Sequence, residues 1–199
     1  MWVFLDIETL DLKGDIILQI SAVTENNNKF NIYISPPLNV NQENEITKLF
    51  ACNGKLYKNG SLLPTYFLKD ALKYFRNWLY KFSDVRICAF NGFSFDFGVL
   101  IRTFYKTKIG FPSHVVSLCD ILPALKRKLK TTLTSYKLTD VAAHYNVSND
   151  DPHNGLYDAV CLKGVCDAFV KENGSDLISL LTLHAKPVEY YFQKLRPPK

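Results

Sequence analysis

The chain contains no C-x-x-C pair, although five cysteines are spread along its 199 residues, at positions 52, 88, 119, 161 and 166. An odd count without paired spacing argues against a disulfide framework and predicts reduced thiols in an intracellular setting, cytoplasm or nucleus. No apolar run approaches the roughly 18 residues of a membrane span, so no membrane partner is expected. Met1-Trp2-Val3 leads straight into the first apolar segment, which leaves no room for a signal peptide. There is no internal repeat and no linker-like change of composition. One domain is therefore expected over residues 1–185, followed by a basic tail, 186–199, that carries Tyr190, Tyr191 and Phe192 and either docks or trails toward substrate. The net charge of +5 is a mild excess that only weakly favours an anionic partner.

What is abundant is apolar: 47% of residues are hydrophobic and 14% aromatic, which suits a large core and equally a surface on which bases stack. Residues 2–5, 15–23 and NNNKFNIYI read as three strands, with Asn26, Asn27 and Asn28 as a hairpin connection. Residues 35–66 are irregular; EITKLF reads as one short helix, and Gly54, Asn59-Gly60 and Pro64 as turns. FLKDALKYFRNWLYKF has helical spacing. Beyond it, strands at 85–91 and SHVVSLCD alternate with helices FDFGVLIRTFYK, ILPALKRKL, SYKLTDVAAHY, GLYDAVCLKGVCDAFVKE and SDLISLLTLHA. A meander followed by alternating strands and helices predicts an α/β fold: a central mixed five-stranded sheet with helices on both faces.

Three stretches carry chemistry. In WVFLDIETL, Asp6 and Glu8 project to one face of a buried strand. In NGFSFDFGVL, Asp96 heads the inward stripe of a helix that continues through Val99, Leu100, Thr103 and Phe104. In DPHNGLYDAVCL, Asp158 heads another such stripe, through Cys161, Leu162, Val165 and Phe169, and His153 lies five residues earlier. Each acid alone fits a bland role, a fraying strand end or a helix-start charge. Four inward acids from three segments cannot all stay unpaired. Hard divalent ions, Mg2+ or Mn2+, suit such oxygen ligands, and two ions form a clamp for phosphoryl displacement. A neutral imidazole can take the proton of the attacking water.

In this order, Asp6-Ile7-Glu8-Thr9, Asn91 to Asp96 and His153 to Asp158 resemble the DEDDh subgroup of the DnaQ-like 3′–5′ exonucleases, over roughly residues 2–171. SLCDILPAL and SYKLTDVAAHYNV resemble intermediate segments of that family. The segment ITKLFACNGKLYKNGSLLPTYFLKDALKYFRNWL looks closest to animal TREX-like and PML-like domains, the Maelstrom branch included. The resemblance implies an RNase H-like fold and two Mg2+ or Mn2+ ions. It implies Asp6, Glu8, Asp96 and Asp158 as ligands, and His153 as general base. Thr9, Leu10, Asn91 and Phe95 are implied to lie against the terminal nucleotide of single-stranded RNA or DNA. Thr9-Leu10-Asp11-Leu12 replaces the family's Thr-Thr-Gly-Leu, so both Leu10 and Leu12 are candidates to wedge against the base. Lys106, Lys108 and the cluster Lys126-Arg127-Lys128-Lys130 are candidate phosphate contacts. Homodimers occur among TREX relatives, and nothing in this sequence requires one. A Maelstrom-like binding module would have lost acids that are present here, and an RNase H-type endonuclease lacks the placing of His153. Cys161 and Cys166, with His144, offer a structural zinc as one reading and a buried helix face as the other.

Overall fold

The first strand, β1 (Trp2–Thr9), sets the architecture. Its odd positions Val3, Leu5 and Ile7 enter one apolar layer, while Trp2 and Phe4 enter another on the opposite face. A strand buried on both faces must lie inside a sheet. In the computed structural model, which describes residues 1–14, 16–174 and 176–194, β1 pairs with an antiparallel strand on one side and a parallel strand on the other.

The antiparallel neighbour is β2 (Ile17–Thr24), followed by β3 (Lys29–Ile34). They join through the predicted asparagine turn, where Asn27 takes a left-handed φ of 63°. Residues 35–66 then depart from expectation. EITKLF forms no helix: Asn44 Oδ1 accepts the N–H groups of Ile46 and Thr47, and this side-chain-made turn feeds a strand instead. The segment is a small antiparallel sheet of β4 (Asn41–Glu43), β5 (Leu49–Cys52), β6 (Lys55–Lys58) and β7 (Ser61–Leu62). Asn53-Gly54 and Asn59-Gly60 make its β5–β6 and β6–β7 hairpins, all four residues having positive φ, as two-residue turns of this hand demand. Leu49, Ala51 and Leu56 bury one face of it against Leu10 and Leu18.

Strand β8 (Thr65–Tyr66) returns to the main sheet and leads into α1 (Leu68–Leu79). Then follow β9 (Val85–Ala89), α2 (Asp96–Thr107), β10 (Val115–Asp120), α3 (Leu122–Lys128), α4 (Leu138–His144), α5 (Gly155–Asn173) and α6 (Leu177–His184). The last described elements are β11 (Ala185–Pro187) and α7 (Val188–Lys194). The sheet runs β11-β10-β9-β1-β2-β3-β8. Its five long strands are those expected; β8 and β11 are short edge additions. One face packs on α1, α2 and α7, the other on α3 to α6.

The tail docks as far as it is described. β11 pairs with β10, and Tyr191, 6% exposed, sits against Phe93 and Phe97 with ring centroids 5.3 and 5.7 Å away. Residues 195–199, like Asp15 and Ser175 at the starts of two predicted elements, lie outside the described residues.

Candidate active site

The strands β1, β9 and β10 run parallel, so their carboxyl ends meet at one edge of the sheet. There the α5-facing side of β1 changes from Trp2 and Phe4 to Asp6 and Glu8. Helix α5 starts directly above. Its first residue is Gly155; a Cβ there would lie 2.9 Å from Ser21 Oγ and 3.2 Å from Asp6 Oδ2. The missing side chain lets the helix begin against the strand, which brings Asp158 down onto the two β1 acids. Carboxylate oxygens of Asp6, Glu8 and Asp158 lie within 4.8 Å of one another, the one such group of potential metal ligands among the described residues. Asp96 approaches from the far side of β1, and its Oδ1 accepts the Ile7 N–H at 3.1 Å. That bond fixes α2 to β1 between the two strand acids.

The loop before α5 is held by polar contacts. Asp158 accepts from Asn149 Nδ2 (2.7 Å) and from the His153 backbone N–H (2.9 Å). His153 is exposed and left-handed, φ 65°, a conformation histidine tolerates better than most residues. Asn154 caps α5 and accepts from Gln19 Nε2, whose own Oε1 accepts the Gly155 N–H. Gln19 and Ser21 both donate to Asn31 Oδ1 at 2.9 Å, making a buried polar stripe beneath the helix start. From the small sheet, Lys58 Nζ reaches Asp151 Oδ2 at 2.9 Å, and Asn154 Nδ2 donates to the same oxygen. The small sheet is thereby tied to the loop that bears His153. Replacing Lys58 with Met should raise amide hydrogen exchange at His153 and Asn154 by roughly fivefold while leaving β1 protected; unchanged exchange in that loop would show that Lys58 does not hold it.

The acids repel one another in a poorly solvated place. Burial pushes the Asp6 carboxyl well above its ordinary range, and Glu8, Asp96 and Asp158 push it further. Burial and then Asp158 and Asp96 raise Glu8 to about 8, against the opposing field of Lys58. Burial raises Asp96 to about 7 despite the Ile7 N–H. Burial also raises Asp158, opposed by Asn149, the His153 N–H and the nearby His153 ring. A set of close, hard oxygen donors that resist ionising together fits a divalent cation, which would relieve the repulsion.

Of the four residues expected against the substrate, three share a hollow with Glu8, and the fourth, Asn91, lies on a loop held by Asp120. Thr9, Leu10 and Phe95 line a hollow that Glu8 borders. Leu10 is largely buried under the small sheet, whereas Leu12 is 86% exposed on the same hollow. Asn91 is exposed, with φ 61°. Its loop hangs on Asp120, which accepts the N–H groups of Asn91 (3.0 Å), Phe93 (3.2 Å) and Leu122 (3.0 Å). Lys126 offsets the burial-raised pKa of Asp120, which places the start of the basic cluster near this loop. Lys106 and Lys108 lie at the opposite end of α2 from Asp96, on the order of 15 Å away along the helix.

The zinc reading fails. Cys161, Cys166 and His144 form no ligand group; Cys166 instead meets Cys88, which also meets Cys119, in the core, where burial raises the Cys88 thiol. Sequence reasoning missed Lys58, Asn149, Gln19 and Ser21. The last two left a signal, two polar residues spaced by two within the apolar run of β2.

Comparison with solved structures gives the same architecture. Escherichia coli exonuclease I in its zinc-bound form with single-stranded DNA superposes with a TM-score of 0.69 at 16% identity, over 92% of this chain and 43% of that one. The same enzyme with a dA16 oligonucleotide gives 0.66 at 17%, over 86% of this chain and 40% of that one. At such identity the likeness establishes the fold, and this chain spans about two fifths of those proteins. No curated protein sequence matches the chain. The exonuclease family profile of the RNase T type matches residues 3–165, across all the acids and His153, and the chain therefore belongs to that exonuclease family.

Proposed function

We propose that the protein is a 3′–5′ exonuclease of the DEDDh type, acting on the ends of single-stranded or frayed RNA or DNA and releasing 5′-mononucleotides. The observation that carries this reading is the convergence of Asp6, Glu8 and Asp158 on one point, with Asp96 fastened beside them. Mg2+ or Mn2+ held by Asp6, Glu8 and Asp158, with a second ion supported by Asp6 and Asp96, would supply charge neutralisation at the phosphate under attack. His153, beside Asp158, takes the proton of the attacking water. Thr9, Leu10 and Phe95 receive the terminal nucleotide, and Asn91 shapes the neighbouring loop. The phosphodiester P–O bond to the penultimate 3′-oxygen breaks, leaving a new 3′-hydroxyl. The intact acid set speaks against a Maelstrom-like binding module, and the position of His153 against an RNase H-type endonuclease. The placement near TREX-like and PML-like domains rests on the segment from Ile46 through α1.

The test is digestion of 5′-labelled single-stranded RNA and DNA. A ladder shortening from the 3′ end in Mn2+, absent in EDTA and restored by added metal, is expected. Cleavage that persists in EDTA, or internal cuts in a circular strand, would remove this reading.

A further inference from the structure

Of the three carboxylates that converge, Asp158 is held on both of its oxygens by one loop. Asn149 Nδ2 donates to Oδ1 at 2.7 Å and the His153 N–H donates to Oδ2 at 2.9 Å, so each oxygen keeps a lone pair for an ion. Burial and charged neighbours govern Asp6 and Glu8, whereas the strongest influence opposing burial at Asp158 is the Asn149 bond. That bond spans nine residues and ties the loop to the first turn of α5. It also leaves Asn149 half satisfied. Asn149 Oδ1 is buried and meets no donor among the described residues. Turning the amide over would set Asn149 Oδ1 against Asp158 Oδ1, two acceptors, so the carboxylate fixes which end faces it. A buried acceptor left unpaired costs stability, and the neighbours Ser148 and Asp150 are both exposed. A side chain that turns inward here and strands its own oxygen does so for the sake of Asp158.

We infer that Asn149 is a positioning residue of the metal site: its amide presets Asp158 in the orientation that Asp6 and Glu8 complete, and so sets how tightly the divalent ion is held. The inference deepens the exonuclease reading and rests on its metal site. A hydrogen-bond partner behind a metal ligand is commonly worth about 10- to 100-fold in metal affinity. Asn149 acts through Asp158 rather than on substrate, so its loss should weaken the ion's hold and leave turnover intact once metal is saturating.

The experiment titrates Mn2+ into the full chain, with free Mn2+ followed by electron paramagnetic resonance, for wild type, Asn149→Leu and Asn149→Ala. Leucine fills the space of asparagine and alanine does not, while neither donates. The Kd for Mn2+ should rise about 10- to 100-fold in both variants. The thermal midpoint in EDTA should move by less than about 4 °C, the size of one hydrogen bond in a chain of this length. Trimming of a single-stranded oligonucleotide should fall at limiting Mn2+ and return to within about threefold of wild type at saturating Mn2+. An unchanged Kd would overturn the inference, and so would a loss confined to one variant, which traces to packing. A midpoint lowered by about 10 °C or more in both variants would assign Asn149 to holding the fold instead. Turnover that stays low at saturating Mn2+ would also overturn it. A wild type that trims nothing yet binds Mn2+ more tightly than both variants fails the exonuclease reading and upholds the role of Asn149. A wild type that binds no Mn2+ overturns that role.

Discussion

Asp6→Asn should lower the rate of end trimming in Mn2+ by about a thousandfold or more, and at the same time raise the thermal midpoint of the metal-free protein. The two effects have one cause. Asp6 stands at the centre of the carboxylate group, and without a cation its charge is opposed by burial and by Glu8, Asp96 and Asp158. Asparagine keeps the shape and removes the charge, so the apo fold gains what the metal site loses. The sign with pH follows from the same shifts. In the unfolded chain the acids release their protons near pH 4; in the folded chain Glu8 keeps its proton up to about 8 and Asp96 up to about 7. Between these limits the folded state binds more protons, so its stability is greatest at the acid end of the window and falls as pH rises. In EDTA the midpoint should drop by roughly 5 °C or more between pH 5 and pH 8, by less in Asp6→Asn, and hardly at all in wild type with saturating Mn2+. A metal-free Asp6→Asn protein less stable than wild type at pH 8 would mean that Asp6 is satisfied by its neighbours, and the metal-site argument would fail with it.

How far this site could be read beforehand depended on the period of each element. Alternation along β1 is enough to put Asp6 and Glu8 on one side, and a 3.6-residue stripe is enough to turn Asp96 and Asp158 inward. These are local consequences of backbone geometry. The small sheet was not legible in the same way. Its strands are two to four residues long, too short for a period to show, and Asn44 diverts EITKLF from helix by bonding its own backbone. The two Asn-Gly pairs were the available signal, because each asks for a tight hairpin. Lys58 was hidden behind that: only the pairing of Leu49 with Lys58 puts its ammonium on the inner face, toward Asp151. Asn149 could not be found by period at all, since its bond to Asp158 depends on the path of a loop.

The second large effect concerns His153, where backbone and side chain have separable roles. The backbone N–H is what holds Asp158 Oδ2, at 2.9 Å, and any residue but proline can supply it. The imidazole is exposed, and its charge reaches Asp158. His153→Ala should therefore preserve the carboxylate group and Mn2+ binding while lowering kcat by about 10²- to 10⁴-fold, the usual worth of a positioned general base. His153→Gly makes the argument sharper. The residue sits at φ 65°, where a side chain costs on the order of 1 kcal/mol that glycine avoids. Glycine should thus leave the fold as stable as wild type, or more so, while losing the same catalytic factor. A glycine variant that loses stability and metal affinity together would assign His153 to holding the loop. One that keeps full activity would move the proton acceptor elsewhere in the site. Only the combination of a sound fold, retained metal and lost turnover fits a histidine whose backbone holds Asp158 and whose ring is free to take a proton from water.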